Sequence, residues 1–374
     1  MKHRNPTLFL LVTLLALIFP ILLFTSDRSV TSQTRERRVS SQDESKSNND
    51  NNAGKMPALP TNEKDAGKTP AVPAMAEVLK VDVDLVTVDA LVLQKNTARI
   101  VGGLKKDDFL LYEDGAKQEI THFSQDSLPL SVLLLIDRGG CLDPFGDKVH
   151  HAAVEAVSRL KPVDEVAVMT YHDTTRLLQG FTSNRMLIEN ALNRIPPHDE
   201  EADHCLNKLF ADAADYMIRA GNPVGRRVIV VITGVTRNFD CLDGPSGKSA
   251  AQAIYESGSV VCGIIPKEMG QGLENGVMVW ATRMGKLGGA PYLDIENLAN
   301  ETGGELLSDK PENLNATFQT LMDHLRSRYN LAFVSTNKKR DGTTRKLKID
   351  VQSPAAKSEG KLVVKARRSY VAPR

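Results

Sequence analysis

The chain has 374 residues, 41% hydrophobic and 25% charged, and its 47 basic against 46 acidic residues leave a net charge of +1. That balance carries no electrostatic footprint for nucleic acid and leaves room for about two globular domains. The basic clusters Arg35–Arg38 and Lys338–Arg340 read as solvated linker or hairpin.

Lys2 and Arg4 precede an uncharged apolar run from Thr7 to Phe24. It reaches the roughly 18 residues a membrane span needs, and no A-x-A-like cleavage site follows. Residues 1–24 therefore read as an uncleaved signal-anchor, with a cleaved signal peptide as the alternative. Arg28, Arg35, Arg37 and Arg38 follow the run, so loop charge does not settle its orientation. Residues 25–76 are rich in Ser, Asn, Lys, Glu and Pro and contain the imperfect repeat GKMPALP/GKTPAVP. With so few large apolar groups they read as a disordered spacer.

From Glu77 the period becomes strand-like. Val81, Val83 and Leu85 alternate, and the phase then slips to Val88, Ala90 and Val92, which predicts a bulge near Leu85–Val86. Asp114-Gly115 between two apolar runs predicts a hairpin. Residues 77–127 thus read as one part of a β-domain. A β/α alternation occupies 128–327. LSVLLLID, EVAVMTY, TRLLQGF, RRVIVVIT and SVVCGII read as strands. Helices are predicted over Val149–Leu160, after a Ser183 cap, over Leu206–Ala220, over YLDIENLANETGG with a glycine stop, and over Glu312–Ser327. Residues 328–374 return to strands, with a turn at Asp341-Gly342 and alternating Leu347, Ile349 and Val351. The predicted fold is a doubly wound, mostly parallel α/β sheet inserted in a small all-β domain formed by the two flanks.

The stretches VDVDLVTVDALV, GLKKDDFLLYEDGAKQEITHF, LPLSVLLLID, LKPVDEVAVMTYHD, LANETGGELL and LRSRYNLAFVSTN, in this order and spacing, resemble von Willebrand factor type A-related proteins of the acidobacterial type. The resemblance runs from about Val81 to Pro373. It implies a von Willebrand A-like domain in an exported protein, and no particular reaction. In that fold the functional feature is a metal-ion-dependent adhesion site, where oxygen ligands on three loops hold Mg²⁺ for a partner's carboxylate.

This chain departs from that pattern. Asp137 matches the first Asp, but Gly139 and Cys141 stand where two hydroxyls belong. His204, or Cys205 if the alignment slips by one, stands near the Thr, and Gly234 replaces the third-loop Asp. The site reads as degenerate, and Mg²⁺ is not expected. The resemblance places Cys141, Cys205 and Cys241 on the three loops that meet at the sheet's C-terminal edge. In an oxidising compartment a disulfide is then expected, with Cys141–Cys241 and Cys205–Cys241 the leading pairs. Unlinked thiols are one alternative, and a zinc site of Cys141, Cys205, Cys241 and His204 is another. Cys262 reads as a small buried hydrophobe.

Weaker features remain. His150-His151 read as a solvated helix face. His198, Asp199, Glu200, Glu201 and Asp203 form an acidic loop. Met278, Trp280 and Met284 lie in a Gly-rich stretch that packs on its own domain or meets a partner. No nucleophile elbow, P-loop, dinucleotide fingerprint or HExxH helix is present. The expected function is a membrane-tethered, extracytoplasmic protein–protein interaction module on the periplasmic side. It is expected to be non-enzymatic and to bind an unidentified protein without metal or other cofactor. The alternatives are a cysteine-centred zinc or thiol-redox site and a purely structural envelope component.

Overall fold

The structure is a computed structural model, and it describes residues 85–125, 127–139, 146–197, 204–222, 225–267, 292–352 and 360–374. The run Thr7–Phe24 lies outside these residues. Among the described residues no helix is long and apolar enough to cross a membrane.

Six strands form the central sheet. β5 (Leu130–Asp137), β6 (Glu165–Tyr171), β8 (Arg226–Ile232), β10 (Val260–Pro266) and β12 (Leu306–Asp309) run parallel, and β7 (Thr175–Thr182) closes one edge antiparallel to β6. The order is β12-β10-β8-β5-β6-β7. Every residue of β5 is buried, which is why LSVLLLID reads as a continuous apolar run without alternation. Leu130, Val132, Leu134 and Ile136 pack with α1 (Gly146–Ser158), α2 (Arg185–Leu192) and α6 (Leu314–Arg326). Leu133 and Leu135 pack on the other face with α3 (Leu206–Met217), α4 (Gly247–Ser257) and α5 (Ile295–Thr302). The result is the three-layer, doubly wound arrangement expected from the sequence.

The flanks build two antiparallel sheets around a core of their own. β1 (Leu85–Gln94), β4 (Ile120–Ser124), β13 (Tyr329–Val334) and β15 (Leu362–Ala366) stand in the order β15-β1-β13-β4. β2 (Phe109–Glu113), β3 (Ala116–Gln118), β14 (Thr344–Val351) and β16 (Ser369–Val371) stand in the order β16-β14-β2-β3. Val88, Ala90, Val92, Tyr329 and Phe333 of the first sheet and Leu111 and Ile349 of the second share the core between them. N- and C-terminal strands pair directly, β1 with β13 and β2 with β14. Arg226, at the start of β8, ties this body to the central sheet through Asp89 (2.6 Å) and the Asn330 side-chain oxygen (2.9 Å).

Four local expectations are corrected. Leu85 and Val86 pair with the consecutive residues Val334 and Phe333, so no bulge lies there. Asn184, not Ser183, caps α2, accepting from the Met186 N–H at 3.1 Å. Tyr292–Asp294 form a short strand, β11, paired with β9 (Arg237–Phe239), and only then does α5 begin. The third helix ends at Met217, three residues short of the expected Ala220. The Asp114-Gly115 turn is as expected, both residues having positive φ (48° and 87°), the geometry a two-residue hairpin needs.

Candidate functional site

In a parallel sheet covered on both faces, the loops beyond the strands' C-terminal ends are the natural place for a site. Asp137 is the last residue of β5 and is 1% exposed. Its Oδ1 accepts the Gly139 N–H at 2.8 Å, and its Oδ2 accepts the Thr233 hydroxyl at 2.6 Å. His204 brings Nδ1 to within 3.1 Å of Oδ2. Burial alone would push the carboxyl up, but the His204 hydrogen bond and charge, the Thr233 hydroxyl and the Gly139 N–H outweigh it. Together they hold Asp137 below its usual 3.8.

Gly139 is required by this arrangement. A Cβ there would lie 2.2 Å from Cε1 of the His204 ring, so the imidazole occupies the space a side chain would need. Gly139→Ser, which restores a hydroxyl to the loop, is expected to destabilise the protein by about 1–3 kcal/mol, the usual cost of overpacking. Adding His204→Ala should recover part of that loss in urea unfolding. Simply additive costs would show that ring and loop are not in contact.

His204 immediately precedes Cys205, the N-cap position of α3. Cys205 is bonded to Cys241, with Cα atoms 5.5 Å apart. This excludes Cys141–Cys241 as the pairing in this structure, and it leaves neither sulfur as a thiolate for zinc. Asn207, fully buried in the first turn of α3, reinforces the same junction. Its amide donates to the Cys241 carbonyl (3.0 Å) and the Pro245 carbonyl (2.8 Å), and its oxygen accepts the Cys241 N–H (3.0 Å).

The sequence-predicted residues therefore separate. Asp137, Gly139 and His204 meet, and Cys205 with Cys241 locks the chain next to them. Gly234 contributes no side chain, and its neighbour Thr233 makes the contact that joins the third loop to Asp137. Thr233 and Asn207 escape a sequence reading. The register signal for Thr233 is plain only once β5 and β8 are known to be neighbours, because Ile136 pairs with Ile232 and the next residue on each strand is Asp137 and Thr233. Cys141, Met278, Trp280, Met284 and the acidic residues Asp199, Glu200, Glu201 and Asp203, with His198, lie outside the described residues. His150 links α1 to Asn193 at 2.9 Å. Cys262 is buried and unbonded, its thiol pushed up to about 12 chiefly by burial, which keeps it protonated and unreactive.

A cavity of about 690 Å³ opens beside Asp137, bordered by Arg138, Asp147, Lys148, His150 and Pro196. Chemically, a carboxylate engaged by an amide, a hydroxyl and an imidazole is a poor general base and a poor ligand for a hard cation. The arrangement is better suited to holding three loops in fixed register beside an open recess.

Residues 132–236 match the von Willebrand factor type A domain family. No curated protein is similar in sequence. Among solved structures, an aerotolerance-related membrane protein from Bacteroides fragilis is 16% identical, with 52% of this chain and 98% of that one covered and a TM-score of 0.38. The von Willebrand domain of the type V pili tip protein Mfa5 from Porphyromonas gingivalis is 10% identical, with 53% and 95% covered and a TM-score of 0.39. Proximal thread matrix protein 1 from the mussel byssus is 11% identical over 57% of this chain, with a TM-score of 0.38, and the match spans about half (49%) of that protein.

Proposed function

We propose that this chain is a membrane-tethered, extracytoplasmic protein–protein interaction module of the acidobacterial von Willebrand A-related type. Its binding face is the C-terminal edge of the six-stranded sheet, and it works without metal and without catalysis. The observation that carries this reading is the saturation of Asp137. In the adhesion site that the sequence resembles, the corresponding Asp helps hold a cation that bridges to a partner. Here Asp137 is engaged by Gly139, Thr233 and His204, so its oxygens already have protein partners where the adhesion site would use an ion. The Cys205–Cys241 disulfide supplies the cross-loop constraint. The match of residues 132–236 to the von Willebrand factor type A domain family supports an interaction module as the kind of task.

The test is affinity capture from an envelope extract of the source cells, with and without EDTA. The expected result is a specific partner retained equally in both and lost with Gly139→Ser. Binding that vanishes on chelation and returns with Mg²⁺ would overturn metal independence. Zinc copurifying with the reduced protein at one equivalent would favour a cysteine-centred site.

A further inference from the structure

The two flanking sheets part company at one corner. β15 and β16 are nearly continuous in sequence, yet β15 pairs with β1 and β16 pairs with β14. The strand thus leaves one sheet for the other around Arg367–Arg368. Gly303, the left-handed cap of α5, sits so close to this crossing that a Cβ on it would lie 2.5 Å from the Ala366 carbonyl carbon. Beyond the crossing, β14 and β15 diverge and leave a cleft of about 890 Å³.

Among the described residues, β15 has a strand on one side only, and past Leu347 β14 has none on the side away from β2. In an antiparallel ladder, alternate residues aim their N–H and C=O groups to opposite sides. The Lys361 carbonyl accepts the Lys95 N–H at 2.7 Å, so odd-numbered residues of β15 face β1 and Leu362 and Val364 face outward. On β14, the Lys346 carbonyl accepts the Asp114 N–H and the Gln352 N–H donates to the Asp108 carbonyl. Even-numbered residues therefore face β2. β16 pairs only along Thr344–Lys346, with one further bond from the Leu347 N–H to the Arg368 carbonyl, so Ile349 and Val351 face the opening.

The lining adds a chemical preference. Leu347 and Ile349 border the cleft from the core (6% and 8% exposed) with half-buried Val364 and Ala366 beside them, while among the described lining residues Lys346, Lys348, Arg367 and Arg368 stand with two acids, Glu301 and Asp350. Arg368 bonds Glu301 (3.2 Å) and Lys348 bonds Asp350 (2.7 Å), while Arg367 donates to the Gly258 carbonyl (3.0 Å) within reach of the Asp89 charge, so the cationic excess of the cleft rests on Lys346. Exposed, flat strand edges are sites where another chain adds a strand, and natural proteins normally cover or block them. Main-chain bonds then give affinity, and alternate side chains give specificity.

We propose that this cleft is a second interaction surface, which takes an extended peptide segment from another chain as an added strand. The segment it fits alternates apolar and acidic residues, apolar ones toward Val364 and Ala366 and carboxylates toward Lys346, Lys348 and Arg368. The surface is separate from the sheet edge that carries Asp137, so the two can fail independently.

The experiment uses the full chain and a fluorescein-labelled peptide of alternating Val and Asp, with a Val/Lys peptide as control, read by anisotropy. The Val/Asp peptide is expected to bind and the control not. Lys346→Glu with Arg368→Glu should abolish binding. Val364→Pro is the sharper variant. It removes an N–H that faces the cleft and none that pairs with β1, a placement an edge strand tolerates. It should weaken binding about tenfold or more while the thermal midpoint is kept. Absence of Val/Asp binding overturns the proposal, as does binding that the charge reversals abolish but Val364→Pro leaves intact, because the latter is charge attraction without strand addition. If Val364→Pro unfolds the chain, Leu362→Pro makes the same test at the other outward N–H. Gly139→Ser should leave this binding unchanged.

Discussion

Asp137→Asn is expected to lower the stability of the folded chain by about 1–3 kcal/mol near pH 7, because the enclosed carboxylate is the shared acceptor for Gly139, Thr233 and His204 and an amide cannot serve all three. An amide in the same place keeps one acceptor and turns a donor either to the Gly139 N–H, which repels it, or to the Thr233 hydroxyl, which must then rotate to accept. The pH dependence follows from the direction of the Asp137 shift. Its folded pKa lies below 3.8, so its contribution is fully present above 3.8 and is lost as pH falls through the lower, folded value. The gap between wild type and Asp137→Asn in urea unfolding should therefore be widest near neutrality and close in strong acid. A gap that stays constant with pH would show that the charge on Asp137 contributes nothing.

Removing the Cys205–Cys241 bridge by a double change to Ser is expected to cost a further and separate amount. The bridge closes a span of 36 residues, which on the chain-entropy account corresponds to about 4 kcal/mol, and commonly less in practice. For a body of this size each kcal/mol shifts the thermal midpoint by about 2–4 °C, so a fall of roughly 10 °C is anticipated. Reductant should reproduce that fall in the wild type and do nothing to the double variant. Under denaturing conditions without reductant, no more than two of the four cysteines should titrate, Cys141 and Cys262, and all four after reduction. Because His204 precedes Cys205 directly, opening the bridge should also loosen the His204–Asp137 pair and make the acid transition less steep. The Asn207 bonds to Cys241 and Pro245 set a floor to this loss, since they hold the same junction without the sulfurs.

Much of the architecture is legible along the chain because it rests on local periodicity. The unbroken apolar run of β5 announces a strand buried on both faces, and the 3.6-residue spacing of Val149, Ala152, Ala153, Ala156 and Val157 announces the helix against it. Asp114-Gly115 fixes its hairpin by backbone conformation alone. The misreadings occur where the competing choices are equally local. Ser183 and Asn184 are both good caps, and the helix starts at Arg185, so the second takes the role. Tyr292–Asp294 read as the start of a helix because only their pairing with a distant three-residue strand makes them extended.

The candidate site divides along the same line. The amino-acid sequence by itself determined that Asp137 ends a buried strand and that the residues after it, through Gly139 and Cys141, carry no hydroxyl side chain. Those are matters of residue type and order. Only the tertiary structure decided which cysteine bonds to Cys241, that Thr233 and not Gly234 reaches Asp137, and that Gly139 is small because an imidazole lies against it. The physical reason is that each of these depends on distances between loops far apart in the chain. Those distances are set by the packing of α3 and the register of β5 on β8, to which no short stretch of sequence refers.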